Sequence, residues 1–263
     1  MATRIPTARL AAIVTAAALA YPGDGAHETS LFEGLPAEDA RNLFDYLGEG
    51  VVGRPTAAPK IEDPARWFPF ESVTLTYRVT GGKDRGSTED HVYGRVEDGV
   101  WGDGWSERVG DHQTVFLNRT AGGDIRVRGE ITHDRRKMTL FSPGEPLIPR
   151  GMTPGETREE RSDVKVYTLD DPDRVKYSGT VAVTCTYLGA YEIRVPSGRY
   201  SAVLFKWTDD GKVGPARVGE TEYRFLAEDV GTVAQVVLRN VDAWFVYRSS
   251  LRIGKVLDDT GGS

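Results

Sequence analysis

Apolar and polar residues alternate with period two along most of this chain. Over residues 72–80, Val73, Leu75, Tyr77 and Val79 are separated by Thr74, Thr76 and Arg78. Successive strand side chains point to opposite faces, so this spacing predicts a half-buried strand, closed by the turn-rich GGKDRGST. The clearest stretch runs from Tyr191 to Val237. In its first part Ile193 and Val195 alternate with Glu192 and Arg194, Pro196 and Gly198 supply turn geometry, and a second strand leaves through Tyr200, Ala202 and Leu204. In its second part Thr221, Tyr223 and Phe225 alternate with Glu220, Glu222 and Arg224 before residues 228–231 break the run. Two antiparallel hairpins are expected.

The same reading places strands at 90–96, 113–118, 125–131, 137–141, 163–169, 177–187 and 243–253. Residues 142–155 hold Pro143, Pro146, Pro149 and Pro154 and are expected to form a long loop or crossover, because proline has no N–H to give a ladder. One stretch follows the helical period instead: Ala40, Leu43, Phe44 and Leu47 fall on one face, opened by Pro36, Glu38 and Asp39 and ended by Gly48. Its apolar stripe suits the edge of a sheet or the end of a barrel. Together these elements predict an all-β fold with one short N-terminal helix, its large, strongly curved antiparallel sheet forming a barrel, half-barrel or sandwich.

Four segments are expected. Residues 1–20 read as a signal peptide, with Arg4 and Arg9 before the apolar run 10–20 and Ala18-Leu19-Ala20 as the cleavage site. Residues 21–64 form an N-terminal segment with the helix and a proline-containing linker, 65–256 the antiparallel β domain, and 257–263 a flexible tail. The leader implies export to the periplasm or beyond. No later run is long enough for a transmembrane helix.

Charge narrows the partners. The chain carries 33 Lys and Arg against 39 Asp and Glu, net −6, with no basic block, which argues against nucleic acid. Its single cysteine, Cys185, lies on a strand face with Val181, Val183 and Tyr187 and reads as a packing residue, leaving no intramolecular disulfide.

Searching for chemistry yields little. There is no G-x-S-x-G, no P-loop and no second histidine after His27-Glu28 for a zincin. His91, His112 and His133 each adjoin an aspartate, but sequence neighbours on a strand face opposite ways. Asp98 with Asp103, and Asp170, Asp171 and Asp173, sit in turns and read as turn residues, not as a calcium loop. No catalytic residue, metal ligand or cofactor is assigned. Trp101 and Trp105, beside Tyr93, are the candidate ligand-binding residues, since aromatic faces in a glycine-rich segment can meet a sugar or a partner.

The segments PLIPRGMTPGET at 146–157, IRVPSGRYSAVLFK at 193–206 and EYRFLAEDVGTVAQV at 222–236 resemble a family of exported bacterial β proteins that includes the pilus-associated TapB-like proteins. The resemblance rests on Pro154 and Gly155; on Val195, Pro196, Gly198, Tyr200 and Ala202; and on Tyr223, Phe225, Ala227, Val230 and Gly231, within residues 65–240. It implies an exported all-β fold without an assigned activity and supplies no catalytic residues. The resulting expectation is an exported, non-catalytic cell-envelope protein acting as a binding or assembly module. Two alternatives stand beside it: a periplasmic carrier holding a lipid in a half-barrel, and an envelope hydrolase built from converging histidines and carboxylates.

Overall fold

The structure, a computed structural model, describes residues 34–98, 101–243 and 247–261; the expected leader, His27, Trp244 and Phe245 lie outside them. The described residues form one helix, α1 (Ala37–Leu47), a 3-10 turn (Pro64–Trp67) and thirteen strands. These are β1 (Val52–Thr56), β2 (Val73–Gly82), β3 (Thr88–Asp98), β4 (Gly102–Val109), β5 (Gln113–Arg119), β6 (Ile125–Thr132), β7 (Lys137–Ile148), β8 (Thr157–Thr168), β9 (Tyr177–Val195), β10 (Gly198–Val213), β11 (Ala216–Ala227), β12 (Gly231–Ala243) and β13 (Tyr247–Asp259). Each of β2 to β13 pairs antiparallel with its neighbours in sequence, except that β13 returns to β2, which closes a 12-stranded barrel. The barrel is thus the member of the expected set that the chain adopts. Closure leaves no free edge among those strands. The long β9 pairs with β8 through residues 177–186 and then with β1 at Val52, Pro55 and Thr56.

The strands carry two kinds of buried face. On β11, Tyr223 and Phe225 face outward and are covered, whereas Glu220, Glu222 and Arg224 point into the barrel, in register with Gln235 and Arg239 of β12. Helix α1 supplies the outer cover over β12, β13 and β2. Its Leu43 and Leu47 are buried, and Asp39, 2% exposed, receives hydrogen bonds at 2.6 Å from both Lys206 Nζ and Tyr223 Oη. The helix lies close to the sheet because Gly81 and Gly254 face Tyr46; a Cβ on Gly81 would sit 2.7 Å from the Tyr46 carbonyl oxygen. Along β8 the outer wall is wet. The outward positions of β8 read Thr157, Glu159, Arg161, Asp163 and Lys165, all exposed, unlike the outward apolar band of a membrane barrel.

The two ends differ. At the lower end, beside turns 120–124, 149–156 and 228–230, residues 57–71 cross the opening as a plug. Backbone bonds tie Ile61 to Met152 and Gly151, Tyr187 Oη donates to the Pro59 carbonyl at 2.9 Å, and Arg66 pairs with Glu228 and Asp229. Phe68 and Phe70 of the plug meet the inner wall at Tyr93 and Trp105, with ring centroids 5.4 and 5.7 Å apart. The expected proline-containing linker after the helix is therefore a strand followed by a packed stopper.

Other expectations need correction. The proline-bearing stretch is not all loop, since β7 continues to Ile148. Pro143 falls where four residues, 141–144, span the gap opposite Arg128 alone between the pairs Val127–Glu145 and Gly129–Leu140, so its missing N–H breaks no ladder bond. Strand β4 had no counterpart in the sequence reading, and of the expected 243–253 strand the described residues are Ala243, the last of β12, and 247–253, the start of β13. The expected tail starts too early, because Leu257 is fully buried and pairs with Tyr77.

Candidate functional site

The upper half of the lumen is lined with charge, unusual for an enclosed face because a buried charge needs a partner. It begins at a recess of about 450 Å³ between turns 83–87 and 110–112, lined by Glu89, Asp90, Arg108, Asp111 and His112 among others. There His112 Nε2 lies 2.9 Å from Glu89 Oε1. Glu89 in turn meets Lys255 and lies 3.3 Å from His91 Nε2, and the other ring nitrogen of His91 is 2.8 Å from Glu107 Oε1. Glu107 also accepts from Tyr93 Oη at 2.8 Å and faces Arg224 at 3.7 Å; Arg224 continues to Glu222, which accepts from Gln235. A chain of polar contacts thus leads from the surface at His112 to the middle of the barrel.

Period two builds this chain. Glu89, His91 and Tyr93 are alternate residues of β3, Glu220, Glu222 and Arg224 of β11, and closure brings β4, β12 and β13 beside them. Burial alone would raise the carboxyl pKa of Glu107, but the hydrogen bond from His91 and the charge of Arg224 override it and hold the group at about 2. Glu89, opposed by the same burial effect, is pulled well below the ordinary range by His91 and Lys255. The Tyr77 and Tyr93 hydroxyls move the other way, raised by burial and by the Glu107 charge.

A second group of carboxylates shares the upper lumen. Asp209 is raised to about 7 by burial and by Glu220 and Glu222 against the pull of Arg239, and its Oδ1 is shut off from solvent without a hydrogen-bond partner among the described residues. Glu145 is raised by burial and by Asp209, Glu130 and Glu220. Here acids outnumber cations: Arg239 bonds Glu220, and Gln113 bonds Glu130.

The three aromatic candidates are not brought together. Tyr93 and Trp105 point into the lumen, against Phe68 and Phe70 of the plug. Trp101 lies on the opposite, outer side, stacked on Phe116 at 3.8 Å in a small apolar cluster with Met138. Of the histidines, His91 and His112 converge on one carboxylate, whereas His133 contacts Thr114 on the outer wall. Their partners are not the adjacent aspartates. His91 uses Glu89, two residues away on the same face, a spacing visible in the sequence, and Glu107, which only strand pairing reveals. Cys185 is fully buried on the inner face, where burial pushes its thiol pKa up, so it is no ready nucleophile. No group of metal-ligating side chains forms among the described residues.

The fold and site define a closed β-barrel, stoppered at one end and charged within at the other. No family model matches the chain, and no curated protein matches it in sequence. Two solved structures are similar to it. One is a protein of Bacteroides fragilis NCTC 9343 proposed to be exported, with a YmcC-like fold: 12% identity, TM-score 0.39, covering 74% of this chain and 98% of that one. The other is a protein of Parabacteroides distasonis ATCC 8503 proposed to be a lipoprotein: 10% identity, TM-score 0.34, covering 78% and 99%. Scores of this size assign no activity.

Proposed function

We propose that the chain is an exported, non-catalytic barrel of the cell envelope, periplasmic or extracellular, acting as a binding or assembly module, a reading supported by the leader pattern, the all-β fold and the lack of a catalytic motif in the sequence. One observation carries the non-catalytic part: the charged groups nearest the mouth answer one another. Glu89 and Glu107 are tied to His91, Lys255 and Arg224 and held ionised. Carboxylates so far below neutrality are weak bases, and the raised tyrosines are slow to ionise. The export part rests on the leader pattern of residues 1–20.

The hydrolase reading has one observation in its favour, the meeting of His91 and His112 at Glu89 beside an open recess. It is the second choice because Glu89, the carboxylate they share, is held ionised well below the ordinary range and is a weak base. A lipid carrier fits less well. The lower lumen is occupied by aromatic rings and the upper lumen is charged, so an acyl chain finds little apolar room.

The test is secretion of the full chain from a bacterial host, followed by fractionation and native mass spectrometry. The expected result is an exported protein whose mass begins at Tyr21, without bound lipid. Uncleaved protein in the cytoplasm would remove the envelope reading, and co-purifying lipid would promote the carrier.

A further inference from the structure

A second recess, of about 300 Å³, opens on the outer wall far from the mouth. It lies where the β6–β7 ladder parts around residues 141–144. Trp101 forms its floor, resting on β6 at Gly129, where a Cβ would come within 2.7 Å of the indole ring. Leu140 and Tyr167 add apolar surface, and Arg128, Ser142, Asp163 and Lys165 line the rim.

The two recesses differ in how their charges are met. At the mouth, Glu89, Asp90, Arg108, Asp111 and His112 all bond within the protein. On the wall, neither Arg128 nor Lys165 has a carboxylate within 4 Å among the described residues, and Asp163 and Ser142 likewise have no side-chain partner there. Arg128 is half-buried at the recess, and among the described residues its guanidinium has no carboxylate partner. Two cations against one acid make this a locally positive spot on a chain of net charge −6.

We propose that this recess binds a carboxylate-bearing sugar, an inference that rests on the binding-module reading and names its ligand class. Arg128 and Lys165 take the carboxylate, with the planar guanidinium able to make two parallel bonds to it. Ser142 donates to and Asp163 accepts from ring hydroxyls, and the half-buried side chains of Tyr167 and Leu140 cover the apolar side of the sugar, with Trp101 packed beneath them on Phe116.

Titration calorimetry with oligogalacturonate, and with an uncharged oligosaccharide of equal length, tests it on the purified full chain. The acidic oligomer is expected to bind at least about tenfold more tightly than the neutral one, and Arg128→Gln to remove about tenfold of that affinity. Lys165→Gln, at an exposed position, is the second variant should Arg128→Gln fail to fold, and Arg108→Gln at the mouth is expected to change nothing. No binding, equal binding of the two oligomers, or loss on Arg108→Gln in place of the wall variants overturns the proposal. These failures would leave export and cleavage at Tyr21 untouched, so they are distinguishable from failure of the envelope reading.

Discussion

His91 and Glu107 meet diagonally across the β3–β4 ladder: His91 opposes Val109 and Glu107 opposes Tyr93, yet imidazole Nδ1 and carboxylate Oε1 are 2.8 Å apart. Both residues are 3% exposed, so the contact joins two polar groups that water cannot serve. Glu107 is also the second anion that Arg224 of β11 meets, at 3.7 Å, after Glu222 beside it.

Glu107→Ala therefore strips His91, Tyr93 and Arg224 of a shared acceptor at once. The expected loss of folding stability is about 3–5 kcal/mol, read as a lower urea midpoint with unchanged slope. The charge also has a pH signature. Because the folded pKa lies below the ordinary value of 4.5, at about 2, its contribution is present above 4.5 and is lost as pH falls from 4.5 toward 2. Glu107→Gln is expected to flatten the acid limb of the stability curve in that window.

Asp209 has the opposite sign. Its folded pKa is raised from 3.8 to about 7, so the folded state holds the proton more tightly and stability falls as pH rises through that interval. Asp209→Asn keeps the shape and removes the charge facing Glu220, Glu222 and Glu145. The variant is expected to exceed the wild type in stability by on the order of 2–4 kcal/mol more at pH 8 than at pH 4. Parallel urea titrations at the two pH values read this difference, and an equal gap at both would show that Asp209 is ionised without penalty.

Apart from β1 and β4, the strands were legible because period two survives whatever each face meets. What each face meets was not. The Glu220, Glu222 and Arg224 row looks like a solvent face in the sequence, but barrel closure turns it inward while α1 covers the Tyr223 and Phe225 side. Alternation separates two faces without saying which is enclosed, and here both are. The candidate site suffered from the same limit. Glu89-x-His91-x-Tyr93 was present as a same-face triplet, but its partners Glu107 and Lys255 come from strands whose register no local pattern states. Arg128 gave no signal at all, because its lack of a partner depends on where the β6–β7 ladder opens.

Gly254 tests how α1 is held. A side chain there would strike the Tyr46 backbone, and backbone cannot swing aside as a side-chain tip can. Gly254→Ala is expected to lift the helix and cost about 1–3 kcal/mol, with faster proteolysis between α1 and β1. The barrel strands should keep their hydrogen-exchange protection, since the ladder at Gly254 needs only its backbone. Uniform loss of protection would mean that α1 and the barrel unfold as one unit.

Phe68 decides whether the plug belongs to the folded core or merely lies over the end of the barrel. Its ring sits 5.0 Å from Phe70 and 5.4 Å from Tyr93, and the residue is 6% exposed. Truncation removes apolar burial and leaves a hole that the flanking backbone cannot fill, because Ile61 is tied to Met152 and Gly151, and Arg66 to Asp229. Phe68→Ala is accordingly expected to cost about 3–5 kcal/mol in a single cooperative transition. It is also expected to expose Tyr93 and Trp105 from below, increasing quenching of tryptophan fluorescence by acrylamide. A loss under about 1 kcal/mol would place the plug outside the cooperative unit and reopen the lower lumen as space for an apolar ligand.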